Sequence, residues 1–246
     1  MDLNIKVLTI PKHLYRNYIL LGHLETIRVP VSNMLVKGRL KFYNGFDWQN
    51  YKTNAELISA VVEDGYTQWK RSLDERKHYE SPPSHAIAVE WGFLKIMKQI
   101  AAEQMPVLLL ESDVFFEYLK YEDILRHFSD LITMEGYENI RIAQLHFRKQ
   151  ENLPWAPAIN DFWARGVNGS GQVANIVTPH GAGFMLQRAS PWPTIENYMP
   201  SYPDTPGFYT AQQSQSLTRR IASLIYPHRN SDMFNKYAMA IEGEHL

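Results

Sequence analysis

The chain has 246 residues, with 25 Lys and Arg against 26 Asp and Glu and a formal net charge of −1. That balance excludes the strongly basic surface of a nucleic-acid binder, although a site for a small anion needs only local charge. The absence of cysteine excludes disulfide frameworks, Cys-ligated zinc and thiol nucleophiles, leaving carboxylates, His, hydroxyls, Lys or a hard metal ion for any chemistry.

Hydrophobic residues at 45% and charged residues at 21% are globular values that argue against disorder. The N-terminal residues have no long apolar h-region, so no secretory signal is read. The apolar run Val107 to Leu110 is too short to span a bilayer. A soluble cytoplasmic protein without a transmembrane segment is the expectation. The sequon Asn168-Gly169-Ser170 then reads as a loop coincidence rather than a glycan site.

In chain order, Ile5 to Ile10 reads as a first strand ended by Pro11, with Arg16 in the following loop or opening helix turn. Arg39 to Tyr43 reads as a second strand, closed by the turn signal Asn44-Gly45. Asn54 to Ser72 is helix-like. After Pro82-Pro83, Ser84 is a candidate N-cap, because its hydroxyl can accept an orphan backbone N–H of the first helical turn. Ile87, Trp91, Leu94, Met97 and Ala101 then recur at helical spacing. Val107 to Leu110 is apolar without alternation, as expected of a strand covered on both faces. It stops abruptly at Glu111-Ser112-Asp113.

Tyr121 to Ile132 reads as a helix and Ile140 to Phe147 as a strand. Glu151 to Gln172 reads as a long irregular loop, of the kind that is often functional. Val173 to Val177 and Gly183 to Leu186 read as strands around a tight turn at Pro179 to Gly183, where a ligand or backbone comes close. A Pro-rich loop runs from Pro191 to Pro206. Thr210 to Ile221 reads as a helix, Ser223 to Tyr226 as a short strand, and the residues from Asn230 as a polar tail. This order predicts an α/β fold with a mostly parallel central sheet flanked by helices. Ligands bind such sheets at the carboxyl ends of the strands, so Pro11, Asn44 and Glu111 to Asp113 are expected at one crevice.

Glu111 and Asp113 are the sharpest chemical signal. In extended geometry residues i and i+2 point to one side, and two close carboxylates repel unless a cation lies between them or one is protonated. Mg²⁺ and Mn²⁺ take oxygen ligands and often bridge a carboxylate to phosphates.

The segment from Ser84-His85 through Leu108-Leu109-Leu110-Glu111-Ser112-Asp113-Val114 resembles glycosyltransferases of the GT-A fold. It is most similar to family 25, the lipopolysaccharide-biosynthesis type, in which an apolar strand ends in a D-x-D-like acidic motif. Thr9-Ile10-Pro11 with Arg16, and Phe42 to Asp47, match the first two strand ends. Ser112 stands where the family has an acid. The resemblance implies one GT-A-like domain over 1–246, its donor-nucleotide half about 1–147 and its acceptor half about 148–246. It implies transfer of a sugar from a nucleotide-diphosphate donor, a UDP-sugar being favoured, to a hydroxyl of a glycan or other acceptor, with Mn²⁺ or Mg²⁺.

Under that resemblance Asp113 is the first metal ligand, Glu111 a second ligand or a ribose contact, and His228 a further ligand. Arg16 is favoured over Arg76 and Lys77 for the diphosphate. Pro11 and Asn44 to Asp47 frame base and ribose, while Ser84, His85 and Ser112 border the donor. His85 reads equally as a packed residue of a capped helix start. An inverting enzyme needs a carboxylate base near the acceptor hydroxyl; Asp204, Glu196 and Asp161 are the candidates. Trp155, Trp163 and Trp192 are candidates for an acceptor platform, or for core. A metal-dependent phosphohydrolase acting on nucleotide sugars, or a non-catalytic nucleotide-sugar or carbohydrate-binding protein, are the alternatives.

Overall fold

β1, Asn4–Thr9, is buried along five of its six residues, and its neighbours in the sheet follow from that burial. The computed structural model describes residues 2–10, 14–63, 85–146, 148–149, 157–166, 169–170, 173–188, 206–212, 216–218 and 244–245. After β1 come α1 (Leu14–Thr26) and α2 (Val31–Val36), then β2 (Leu40–Asn44) and α3 (Asn54–Glu63). α4 (His85–Ala101) leads to β3 (Val107–Glu111), β4 (Val114–Phe116) and α5 (Tyr121–Glu135). The short strands β5 (Ile142–Gln144), β6 (Arg148–Lys149), β7 (Trp163–Arg165) and β8 (Gly169–Ser170) precede β9 (Ala174–Val177) and α6 (Pro179–Arg188). β10 (Phe208–Ala211), β11 (Ser216–Thr218) and β12 (Glu244–His245) complete the described elements.

The main sheet has eight strands in the order β12-β2-β1-β3-β9-β5-β10-β7. β12, β2, β1 and β3 run parallel, β9 is antiparallel to both β3 and β5, β10 is parallel to β5, and β7 is antiparallel to β10. Most strands therefore share one direction in a mixed α/β sheet. Two short antiparallel pairs, β4 with β11 and β6 with β8, stand outside it.

Apolar side chains cover both faces. Ile5, Val7, Leu108 and Leu110 pack into one layer with Leu20, Leu21 and Leu24 of α1 and Ile124, Phe128 and Leu131 of α5. Val107 and Leu109 pack into the opposite layer with Leu57 and Val61 of α3 and with Trp91, Leu94 and Met97 of α4. The period-2 alternation of a strand sends alternate residues to opposite faces. All four apolar residues of β3 are thus fully buried, and the run carries no polar alternation.

Three segments differ from the sequence expectation. Gly183 to Leu186 lies in α6, not in a strand. Thr178 Oγ1 accepts from the Gly181 N–H at 3.1 Å, an N-terminal cap immediately before Pro179. The two glycines weaken helix propensity and hide this start. A Cβ at Gly181 would lie 2.1 Å from the Arg141 carbonyl oxygen, so a backbone does come close here, but onto a helix rather than a turn. Thr210 to Ile221 is not one helix: β10 covers Phe208–Ala211 and β11 covers Ser216–Thr218, in keeping with the aromatic and β-branched residues at Phe208 to Thr210. The loop at Glu151 to Gln172 contains β7, β8 and a bridge between Ala158 and Ala164. α1 and α2 are additions to the expected elements, although Asn17, Leu20, Leu21 and Leu24 form a buried stripe at helical spacing. Within the polar tail, Glu244–His245 adds to the sheet edge beside Tyr43 and Asn44. Ser223 to Tyr226 lies outside the described residues.

The two glycines of α6 should respond oppositely to alanine. Gly181→Ala must displace the Arg141 backbone and should lower stability by about 1–3 kcal/mol. Gly183→Ala meets nothing within 4 Å and should raise it by roughly 0.5–1 kcal/mol through helix propensity. Urea titrations of both variants check the signs.

Candidate functional site

The carboxyl ends of β1, β2 and β3 lie side by side, with Thr9 opposite Asn44 and Leu8 opposite Glu111. Beyond the regular ladder, Ser112 N donates to the Leu8 carbonyl at 3.0 Å and Gly45 N to the Thr9 carbonyl at 2.7 Å. These bonds hold the chain where it leaves β3 and β2. Above them is an open cleft of about 490 Å³. One side is formed by Glu111, Ser112 and Asp113, with Arg16 and Thr9 beside them; Phe46, Trp48 and Gln49 form an aromatic and amide side. Ala88 and Val89 of α4 complete the wall. α4 approaches closely because residue 92 is glycine: a Cβ there would come within 2.9 Å of Leu8 Cδ1.

α1 grips the acidic segment at two points. In its first turn, Arg16 Nη1 lies 3.6 Å from Asp113 Oδ2, both side chains about a quarter exposed. That distance makes an ion pair rather than a short hydrogen bond. The Arg16 Nε is buried and has no hydrogen-bond partner among the described residues. Seven residues on, and so on the same helix face, His23 Nε2 accepts from the Phe116 N–H at 2.8 Å. The imidazole also lies 4.7 Å from the Phe115 ring and stacks on Phe116. Because Nε2 is the acceptor, the ring is neutral with its proton on Nδ1. Burial, aided by the Lys120 charge, holds the His23 pKa down at about 4 from an ordinary 6.5.

The residues expected at the site fall into three groups. Arg16, Glu111, Ser112 and Asp113 line the cleft together. Asn44 is buried at the end of β2, and Asp47 caps the turn Trp48–Asn50 by accepting from Gln49 N at 3.2 Å; neither borders the cleft itself. Asp47 thereby shapes the segment that carries Trp48. Pro11, Arg76, Lys77, Ser84, Trp155, Trp192, Glu196, Asp204 and His228 lie outside the described residues, as does the His85 side chain at the start of α4.

Trp163 corrects the platform expectation. It is fully buried and donates from Nε1 to the His127 carbonyl at 2.7 Å, so it fills core in β7. Asp161, exposed just before β7, is four strands from β3 in the sheet order, about 19 Å at ordinary strand spacing. Trp48, Gln49, Ala88 and Val89 line the cleft without having been expected there from the sequence. Only Trp48 carried a usable signal, an aromatic directly after a strand-end turn.

Ser112 has a packing reason. It is only 5% exposed, and an acid there would bring a third charge into a nearly dry floor. Glu111 and Asp113 remain as oxygen donors. Among the described residues no three His, Asp or Glu side chains gather as a metal cage. Two carboxylates do fit a Mg²⁺- or Mn²⁺-type ion, which is commonly held by one or two carboxylates with substrate phosphates and water completing its shell. No helix among the described residues is long and apolar enough to cross a membrane. No protein-family model matches the chain, and no curated protein matches it in sequence.

His23 ties acid sensitivity to the segment after Asp113. With its folded-state pKa below 6.5, the unfolded chain takes up the proton first. The stabilisation is therefore complete above pH 6.5 and is lost as pH falls from 6.5 towards 4. A proton on Nε2 would also face the Phe116 N–H, donor against donor. His23→Gln keeps an uncharged acceptor, so its melting temperature should fall less between pH 7 and pH 4 than that of the wild type. Thermal melts across that range measure the difference.

Proposed function

We propose that this chain is a metal-dependent glycosyltransferase of GT-A type, moving a sugar from a nucleoside-diphosphate donor to a hydroxyl of a glycan or other acceptor. The observation that carries the reading is the convergence of Glu111, Asp113 and Arg16 on one open cleft at the carboxyl ends of β1, β2 and β3. Strand ends of an α/β sheet are where ligands of this class sit. The cleft combines oxygen donors, one guanidinium and two aromatic rings, a set that suits a ligand carrying a diphosphate and a flat base.

In this reading Asp113 and Glu111 hold a Mn²⁺ or Mg²⁺ ion. When bound, such an ion supplies electrophilic stabilisation of the charge on the departing diphosphate. Arg16 offers fixed positive charge to the same phosphates, in a fork suited to phosphate oxygens. Phe46 and Trp48 supply aromatic rings along the wall, and Gln49 an amide that can donate and accept. The neutral His23 holds the backbone at Phe116 and so steadies the turn that carries Asp113. The reaction itself forms a new glycosidic bond to the acceptor oxygen and breaks the bond from the sugar to the diphosphate. The acceptor proton leaves to a base or to the departing phosphate oxygen.

Asp113→Asn removes the charge and preserves the shape. It should weaken Mn²⁺-dependent UDP binding at least about tenfold, the smallest loss seen when even an outer-shell partner of a metal ligand is removed, while far-ultraviolet circular dichroism stays that of the wild type. Calorimetric titration of UDP with and without Mn²⁺ provides the test; equal binding by variant and wild type rejects the assignment.

A further inference from the structure

The Arg16–Asp113 pair bears on the order in which ligands enter the cleft. The same carboxylate that faces the cation site carries a guanidinium 3.6 Å away. A divalent ion arriving alone must therefore bind beside a fixed positive charge and compete with it for Asp113. The pair is long, and both groups are partly in water, so it is easily exchanged. About a quarter of the Arg16 side chain is exposed, so its terminal nitrogens can turn from Asp113 to a ligand oxygen within the cleft. A phosphate at Arg16 would gain a bidentate donor and draw the guanidinium away from Asp113.

Resting on the donor and metal sites proposed above, we infer that the Arg16–Asp113 ion pair is an exchange contact that couples the two ligands. The phosphate-bearing ligand takes Arg16, and that release removes the guanidinium's competition with the divalent ion for the Asp113 carboxylate. Without the phosphate, Arg16 screens Asp113 and keeps the metal affinity low. Coupling of two binding events is reciprocal, so the metal strengthens phosphate binding by the same factor.

This predicts opposite signs for one substitution. Arg16→Gln should bind Mn²⁺ alone more tightly than wild type by about 3- to 10-fold, the size expected for deleting one charge a few ångström from a divalent ion in largely aqueous surroundings. It should bind UDP alone more weakly, and the factor by which UDP tightens Mn²⁺ should shrink. Arg16→Lys keeps the charge and should leave the affinity for Mn²⁺ alone near that of the wild type. Calorimetric titrations of the full chain with MnCl₂ and with UDP, singly and together, measure these three quantities for each protein, and thermal melts check that the variants are folded. If Arg16→Gln binds Mn²⁺ alone no more tightly than the wild type, or if Arg16→Lys matches Arg16→Gln, the exchange is overturned while the donor reading stands. If the wild type binds UDP at no Mn²⁺ concentration, both fall together.

Discussion

Four consecutive side chains of β3 are withdrawn from water, Val107 and Leu109 into one helical layer and Leu108 and Leu110 into the other. Each contributes about 1.5–3 kcal/mol by burial, and none can move to the opposite face without exposing its neighbours. That pins the strand along its length and sets the point where it leaves the core. Glu111 is the first residue to reach solvent, so the acidic segment emerges at the carboxyl end of a central strand. Its partners are determined with it, because β1 and β2 are paired in register with the same ladder.

Past Glu111 the chain is held by α1 more than by the main sheet. Arg16 attracts Asp113 and His23 accepts from Phe116, two contacts from one helix face that bracket the segment 113–116. One is electrostatic and exchangeable; the other is a part-buried hydrogen bond that acid opposes. The helix is itself anchored by Leu20, Leu21 and Leu24 in the layer beneath β1 and β3. The cleft therefore inherits its geometry from the core, through α1 and through the strand ends at Leu8 and Thr9.

Much of this frame was legible in the residues. The apolar run ending in acids, the turn at Asn44-Gly45 and the helical stripe from Trp91 to Met97 each carry a local period or punctuation that physics makes specific. The missed elements lacked such marks. α6 begins with Thr178-Pro179, a readable start, but its two glycines imitate a turn. Phe208 to Ala211 carries β-forming residues, yet its burial depends on β5 and β7, which lie distant in sequence. The tryptophans show the same division: Trp91 belongs to a helical stripe and declares itself, Trp48 follows a strand-end turn, and Trp163 carries no such mark.

Sequence alone determined the chemical repertoire: oxygen ligands without thiols, a near-neutral chain, and one acidic pair at the end of a strand buried on both sides. These depend on composition and on periods of two and 3.6 residues, which act over a few neighbours. Only the tertiary structure decided which groups meet that pair. Arg16 faces Asp113 across 97 positions of chain, Trp48 turns into the cleft, and Trp163 closes into the core. Those outcomes depend on which helix packs on which face of the sheet, a property of the whole chain's burial that no short window of residues contains.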